Sequence, residues 1–366
     1  MMRIVVKIGT SSVTDDRGSI KTDAIATLCT QVAQLRTDGH EVIVVTSGAV
    51  AGGVAALNMA QRPTDTLTLQ ALAAVGQSLL MNEYNRQLAL HRFIGAQVLL
   101  VPNDFIDRTQ YLHARNTIIR LLELGCVPII NENDAIASDE IRFGDNDRIA
   151  ALVSHNISAD VLVLLTDIAG LYTADPTTDS TATFVEVVAA DDELLSVNAG
   201  SAGSARGSGG MASKLSAARI ASWSGVRTVI ASATRKDVLQ QAIAQTPGAG
   251  TQFLPHNRNL SARKLWIAFA AQHVGTIVVD DGAQAAMINR NTSLLHAGVV
   301  DVNGDFVAGD TVEIRDLRDV VIARGMVAVD AVQASAAAGR QSAELPDGVG
   351  AELVHRDDLV ILFNTK

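Results

Sequence analysis

Cysteine is close to absent: the 366-residue chain has two, Cys29 and Cys126. Both stand in apolar-patterned segments, which excludes a disulfide framework or a cysteine metal site and reads as packing in a reducing compartment. No uninterrupted apolar run approaches the ~20 residues that cross a bilayer. The opening MMRIVVKIGTSS enters a strand at once, without the apolar core and cleavage site of a leader peptide. A cytoplasmic protein with no membrane contact is expected. An excess of positive charge is also missing, since 29 Lys and Arg face 39 Asp and Glu, a formal net charge of −10. That balance argues against a general binder of nucleic acid or anionic membranes and leaves room for a local basic pocket. Motif absences narrow the chemistry further. No G-x-x-x-x-G-K-[ST] occurs, so a P-loop is excluded. Ser47 lies in no G-x-S-x-G, which removes a nucleophile elbow, and the acidic spacing fits no EF-hand.

What is present is material for a folded interior, 48% hydrophobic and 19% charged residues. A single core stops growing well before this length, so two domains are expected. Up to about residue 245, short β-branched runs alternate with helical patterns. The runs are RIVVKI (3–8), EVIVV (41–45), QVLLV (97–101), VPII (127–130), VLVLL (161–165) and RTVIAS (227–232). Helical periodicity fills the gaps, as in DAIATLCTQVAQLRTDG and QALAAVGQSLLMNEYNRQLALH. Runs apolar on both faces and separated by helices predict an α/β fold, with an open, mainly parallel sheet covered by helices on both faces. ATFVEVV adds a candidate antiparallel strand. TPGAGTQFLPHNRNLSARK (246–264) reads as the junction. The expected division is a first domain over 1–255, a linker over 256–274 and a small, mainly β domain over 275–366. In that tail Asn303-Gly304 is a hairpin signal, and no solenoid repeat is seen.

Each strand is followed at once by a polar or glycine-rich turn: GTSS, TSGAVAGG, PNDFIDR, NEND and TDIAG. In an open parallel sheet ligands bind beyond the carboxyl ends of the strands, so these turns share one edge. Lys7, Gly9 and the hydroxyls of Thr10, Ser11 and Ser12 form either a phosphate cradle or an ordinary strand-to-loop turn. Ser47 and Gly48 either offer amides to an anion or make a tight strand–helix connection. GSARGSGGMASKL sets Lys214 in the first turns of a helix, where a cation is unfavourable without an anionic ligand. A plain surface loop is the alternative there.

NENDAIASDEIRFGDND (131–147) crowds carboxylates and amides behind an apolar run. Capping of the following helix accounts for one of Asp145, Asn146 and Asp147. It leaves a second acid, and Asn131, Asn133 and Asp134, without a role. A carboxylate metal site is one candidate; pairing with Lys7 and Lys214 at the same sheet edge is more economical.

VVKIGTSS, VTSGAVAGG, PIINENDAIASDEIRFGDND, LLTDIAGLYTADP and GSGGMASKL together resemble the amino-acid kinase family, in its glutamate-phosphorylating branch. The tail, with SLLHAGVVDVNGDFVAGDTVEI, resembles a PUA domain. The resemblance implies ATP-dependent phosphorylation of the L-glutamate side-chain carboxylate to L-glutamyl 5-phosphate, the first step toward proline, with Mg2+. It implies Lys7 and Lys214 as the cations that stabilise the phosphoryl group and Asp147 as the acid that holds them. Ser47, Asp134 and Asn146 would bind glutamate, with Gly48, Ala49 and Asn131 close by. Lys7, Gly9, Thr10, Thr166, Asp167, Ser208, Gly209, Gly210, Met211, Ala212, Ser213 and Lys214 would meet ATP. Serine stands at 208 and 213 where threonine is usual, and both keep the hydroxyl. The resemblance leaves the direct metal ligands undefined. It implies a homo-oligomer (dimer or tetramer), proline feedback and handover of the labile product to glutamyl-phosphate reductase. The chemistry agrees with a glutamate acceptor: a carboxylate of ordinary pKa about 4.3 is already ionised at neutral pH and needs no general base, and no histidine occurs in the five kinase-like motifs. The rivals are a kinase for aspartate or acetylglutamate, and an RNA-binding factor acting through the tail. From 275 to 366 the tail has 14 acidic against 7 basic residues, which makes RNA binding unfavourable.

Overall fold

The computed structural model describes residues 1–105, 107–136, 145–174, 176, 178–190, 192, 209–256, 260–270, 273–346 and 348–362. The chain divides into two compact units, Met1–Asn259 and Leu260–Lys366. The first holds strands β1 (Arg3–Ile8), β2 (Glu41–Val45), β3 (Gly95–Leu100), β4 (Val127–Glu132), β5 (Val161–Thr166), β6 (Val187–Val188), β7 (Arg227–Ser232) and β8 (Thr251–Phe253). Its helices are α1 (Thr10–Val13), α2 (Thr22–Thr37), α3 (Ala49–Ala56), α4 (Thr66–Leu90), α5 (Arg108–Glu123), α6 (Asp145–Asn156), α7 (Gly209–Trp223) and α8 (Val238–Ile243).

The eight strands form one sheet in the order β3-β4-β2-β1-β5-β7-β8-β6. The six from β3 to β7 are parallel, β8 runs antiparallel to β7, and β6 pairs with β8 in parallel. The expected strand in ATFVEVV therefore exists, shortened to Val187–Val188, and runs against the main sheet. Thr251–Phe253, which the sequence put in the junction, is the strand that joins it to the rest.

Side chains alternate between the faces of a strand. Ile4, Val6 and Ile8 join Val42, Val44, Val163 and Leu165 in a core with Ile25, Leu28 and Val32 of α2, Leu80 and Tyr84 of α4, and Leu239 of α8. The α2 residues recur every three to four positions, the stripe a sheet-facing helix needs. Val5, Ile43, Leu162 and Leu164 are equally buried and belong to the opposite face, where α6 contacts β1, β2, β4 and β5. Lys7 falls on this second face by the same alternation.

The α3–α4 seam is closer than ordinary helix packing allows. A Cβ on Gly76 would stand 1.8 Å from the Ala49 carbonyl oxygen, and one on Gly53 would stand 2.1 Å from that of Leu72. Glycine is required at both positions, and backbone contact fixes where α3 begins.

The second unit has helices α9 (Ala262–Leu265), α10 (Asp281–Arg290) and α11 (Ala331–Ala337). Its strands are β9 (His273–Val279), β10 (Leu294–Leu295), β11 (Val299–Gly304), β12 (Thr311–Arg315), β13 (Val321–Met326), β14 (Glu352–Val354) and β15 (Leu359–Ile361). A five-stranded sheet runs β11-β9-β12-β13-β15, and β10 pairs with β14. Two expectations are corrected. A linker is expected over 256–274, yet within it Leu265, Ile267 and Ala268 belong to the second unit and are buried. Asn303-Gly304 makes no hairpin turn: both residues lie inside β11 opposite Thr276 and Gly275, and β9 separates β11 from β12. Gly304 has φ +104 and a Cβ there would meet the Val274 carbonyl oxygen at 2.6 Å, so it serves a close strand approach. Among the described residues no helix is long and apolar enough to cross a membrane.

Candidate active site

Lys7 is the fifth residue of β1, opposite Val45 of β2 and Leu164 of β5. It is thus central in the sheet and close to the carboxyl edge. Its ammonium lies 2.6 Å from Asp147 Oδ1, a close ion pair. Lys214 reaches Asp147 Oδ2 at 3.3 Å from the sixth position of α7. The three side chains are almost sealed, with Lys7 5%, Asp147 1% and Lys214 9% exposed. Ser213 donates its one hydroxyl proton to Asp147 Oδ2 at 2.6 Å, and the Gly210 carbonyl accepts from Lys214 Nζ at 3.2 Å. One carboxylate therefore gathers a strand lysine and a helix lysine, and the glycine-rich start of α7 braces the second.

The electrostatics follow from burial. Desolvation pushes the Lys7 pKa below its usual value; the Asp147 charge opposes this and the Lys214 charge adds to it. Burial alone would raise Asp147, but the two ammoniums outweigh it and hold the carboxyl below the usual range. With two cations and one anion the cluster is left net positive. Buried excess charge is costly, and an anionic ligand would relieve it.

All three of residues 145–147 lie within α6; the Asp145 side chain lies outside the described residues, and the Asp147 side chain turns to the lysines. Asn146 bridges differently: its Oδ1 accepts from the Glu132 N–H at 3.1 Å and its Nδ2 donates to Ser47 Oγ at 3.2 Å. Ser47 follows β2, and Gly48 takes φ +102 before α3, a conformation that favours glycine. Ala49 opens α3 and is buried. Asn131, 1% exposed near the end of β4, donates to Gln77 Oε1 at 2.9 Å. Asp134 lies just past β4, half-buried. It lines a cavity of about 210 Å³ with Ala49, Gln77, Gln97 and Glu132, and it interacts electrostatically with Arg62.

Gly9 caps α1 and Thr10 opens it; a Cβ on Gly9 would stand 3.6 Å from Lys7 Nζ. Thr166 ends β5, one position beyond the residue opposite Ile8, and its hydroxyl donates to Asp167 Oδ1 at 2.9 Å. Met211 is buried and Ala212 half-buried on α7. Ser208 lies outside the described residues, and Gly209 begins the helix. Gln77 and Gln97 escaped the sequence reading, because a lone glutamine in a helical or strand pattern looks like a surface residue. The available signal was position: Gln77 falls on the stripe of α4 that buries Leu69, Leu72, Ala73, Leu80 and Tyr84. Among the described residues no group of three or more His, Cys, Asp or Glu is arranged to hold a metal, and Asp147 is already engaged by two lysines and a serine. The described residues thus offer no dedicated Mg2+ cage.

Residues 2–232 match the model of the amino acid kinase family, and residues 275–349 match the PUA domain. A glutamate 5-kinase of Thermobifida fusca is 45% identical over 99% of this chain and 94% of its own. Those of Thermoanaerobacter sp. and Cupriavidus taiwanensis are 43% and 44% identical, each aligned over 98% of its length. Among solved structures, a carbamate kinase from Giardia lamblia bound to AMP-PNP superposes with a TM-score of 0.51 at 13% identity, covering 70% of this chain and 99% of that one. That likeness concerns the fold alone. With a sheet of this topology, two lysines on one buried aspartate and full-length relatives, the chain belongs to the amino acid kinase family, in its glutamate 5-kinase branch with a C-terminal PUA domain.

Proposed function

We propose that the chain transfers the γ-phosphoryl group of ATP to the side-chain carboxylate of L-glutamate, giving L-glutamyl 5-phosphate and ADP, the first step of proline biosynthesis. The observation that carries this reading is the buried Lys7–Asp147–Lys214 cluster at the carboxyl edge of the sheet. A glutamate carboxylate oxygen attacks the γ-phosphorus while the bond to the β–γ bridging oxygen breaks, and ADP leaves with that electron pair. No proton has to move, since the nucleophile is already an anion. The obstacle is repulsion between two anions, so catalysis reduces to positioning and charge neutralisation. Lys7 and Lys214 supply the positive charge; Asp147, pinned by Ser213, fixes where they stand. Thr166, Asp167 and the run from Gly209 to Lys214 flank the nucleotide, and Gly9 and Thr10 adjoin its phosphates.

Glutamate has two further charged groups to seat. Asp134 suits the α-ammonium; the Ser47–Gly48 turn and Asn146 suit a carboxylate, with Ala49 and Asn131 walling the space. Mg2+ would arrive with the nucleotide, held by its phosphates and water as this hard cation commonly is. Proline feedback, a homo-oligomer and handover of the acyl phosphate to a reductase extend the proposal on the family resemblance alone.

The test is a coupled ADP-release assay with L-glutamate, L-aspartate and N-acetyl-L-glutamate as acceptors, with and without proline. Release with L-glutamate only, suppressed by proline, is expected. Turnover of aspartate or acetylglutamate in its place overturns the acceptor assignment.

A further inference from the structure

A single main-chain donor orients two side-chain amides beside the proposed glutamate seat. The Glu132 N–H faces both Asn131 Oδ1 (3.0 Å) and Asn146 Oδ1 (3.1 Å). A main-chain N–H only donates, so each amide must turn its oxygen toward Glu132 and its NH2 away. For Asn146 the NH2 then meets Ser47 Oγ, which leaves the serine proton free to donate to a ligand. For Asn131 the NH2 meets Gln77 Oε1, and Gln77 in turn donates through Nε2 to Gln97 Oε1, both at 2.9 Å. Donation therefore runs outward from Glu132 in two arms, one through Asn131 and Gln77 to Gln97 on the exposed edge strand β3, the other through Asn146 of α6 to Ser47 past the end of β2.

Gln77 is the costly member of this chain. It is 8% exposed and occupies an inward position of α4 where an aliphatic side chain would pack without loss of polar hydration or rotamer freedom. It also lines the cavity that holds Asp134 and Ala49. We infer that Gln77 is a positioning residue of the glutamate site. It accepts from Asn131 and so keeps that amide facing the Glu132 N–H, which holds the end of β4 in register with Asn146 and Ser47. The inference rests on the glutamate reading above and adds a residue that never touches the reacting atoms. It separates the two substrates, because the relay ends at the proposed glutamate residues and includes none of the proposed nucleotide residues.

The experiment measures steady-state ADP release with glutamate and ATP varied in turn, for the full chain and for Gln77→Leu and Gln97→Ala, alongside the unliganded melting temperature. Gln77→Leu strands a buried Asn131 donor, and its KM for glutamate should rise about tenfold, equivalent to about 1.4 kcal/mol. Its KM for ATP and its kcat should stay within about threefold. Gln97→Ala, on the exposed edge, frees the Gln77 amide to flip and should raise the glutamate KM by a smaller factor, about twofold to threefold. A folded Gln77→Leu protein with unchanged glutamate KM, or with both KM values raised alike, overturns the inference. If Gln77→Leu does not fold, an unchanged glutamate KM in Gln97→Ala overturns it. A wild-type chain that does not turn over glutamate at all defeats the substrate reading, and the relay with it, before any variant is compared.

Discussion

Replacing Asp147 by asparagine keeps the shape of the side chain and removes the negative charge that stands between two buried ammoniums. At an effective dielectric near 20, unit charges at the observed 2.6 Å attract by about 6 kcal/mol, and at 3.3 Å by about 5 kcal/mol. Burial of the ions offsets most of that gain. Deleting one partner is different, because the lysines keep their burial and lose their counter-charge, a net cost of about 3–5 kcal/mol. Denaturant unfolding near neutral pH should show that loss. The same change should lower kcat by about 10²–10³, the scale for disabling an electrostatic stabiliser, in a coupled ADP-release assay at saturating substrates. The pH dependence supplies a second check. The native carboxyl sits below its usual value, so its contribution is fully present above the unfolded pKa of about 3.9 and is lost as pH falls through the lowered native value. The stability gap between wild type and Asp147→Asn should therefore close in acid. A kcat within about threefold of wild type, with an unfolding free energy within about 1 kcal/mol, would refute both the clamp and the reasoning that put it there.

Lys7→Ala and Lys214→Ala should each cost about 10²–10³ in kcat, and a rate within about threefold of wild type removes that lysine from the mechanism. Burial lowers the Lys7 pKa, so kcat/KM should fall on the alkaline side below the ordinary lysine value of about 10.4. If Lys7→Arg retains activity its profile should stay flat there, since guanidinium stays protonated; a wild-type profile level up to that pH contradicts the shift. Gly76→Ala drives a methyl group onto the Ala49 carbonyl oxygen, where the gap would be 1.8 Å. It should lose at least about 1–3 kcal/mol of stability and raise the glutamate KM by displacing the start of α3; an unchanged melting temperature refutes the tight seam.

The parts of the fold that the sequence disclosed are those where burial leaves one solution. RIVVKI, EVIVV and RTVIAS are apolar on both faces, so only an interior strand accommodates them, and their observed bounds coincide with the runs. Short or shared signals failed. Thr251–Phe253 hides among Pro, Gly and polar residues because two neighbouring strands, not its own periodicity, make it a strand. Asn303-Gly304 has the composition of a turn, but its glycine answers to the Val274 backbone across a strand pair.

Charge was more informative than capping rules at the site. Asp145, Asn146 and Asp147 carry the residue types of a helix start, and composition alone cannot tell a cap from a clamp. What distinguishes them is α6 lying across β1, β2, β4 and β5, on the face to which strand alternation assigns Lys7. Local preference would expose these residues, whereas the sheet edge needs a carboxylate there to hold two ammoniums it could not otherwise bury. Gln77 poses the converse problem. Its partners Asn131 and Gln97 are 54 and 20 residues away, so no window of sequence contains the reason for a buried amide on an apolar stripe. That reason begins with one backbone N–H at Glu132, a group every residue except proline possesses, whose direction only the assembled sheet decides.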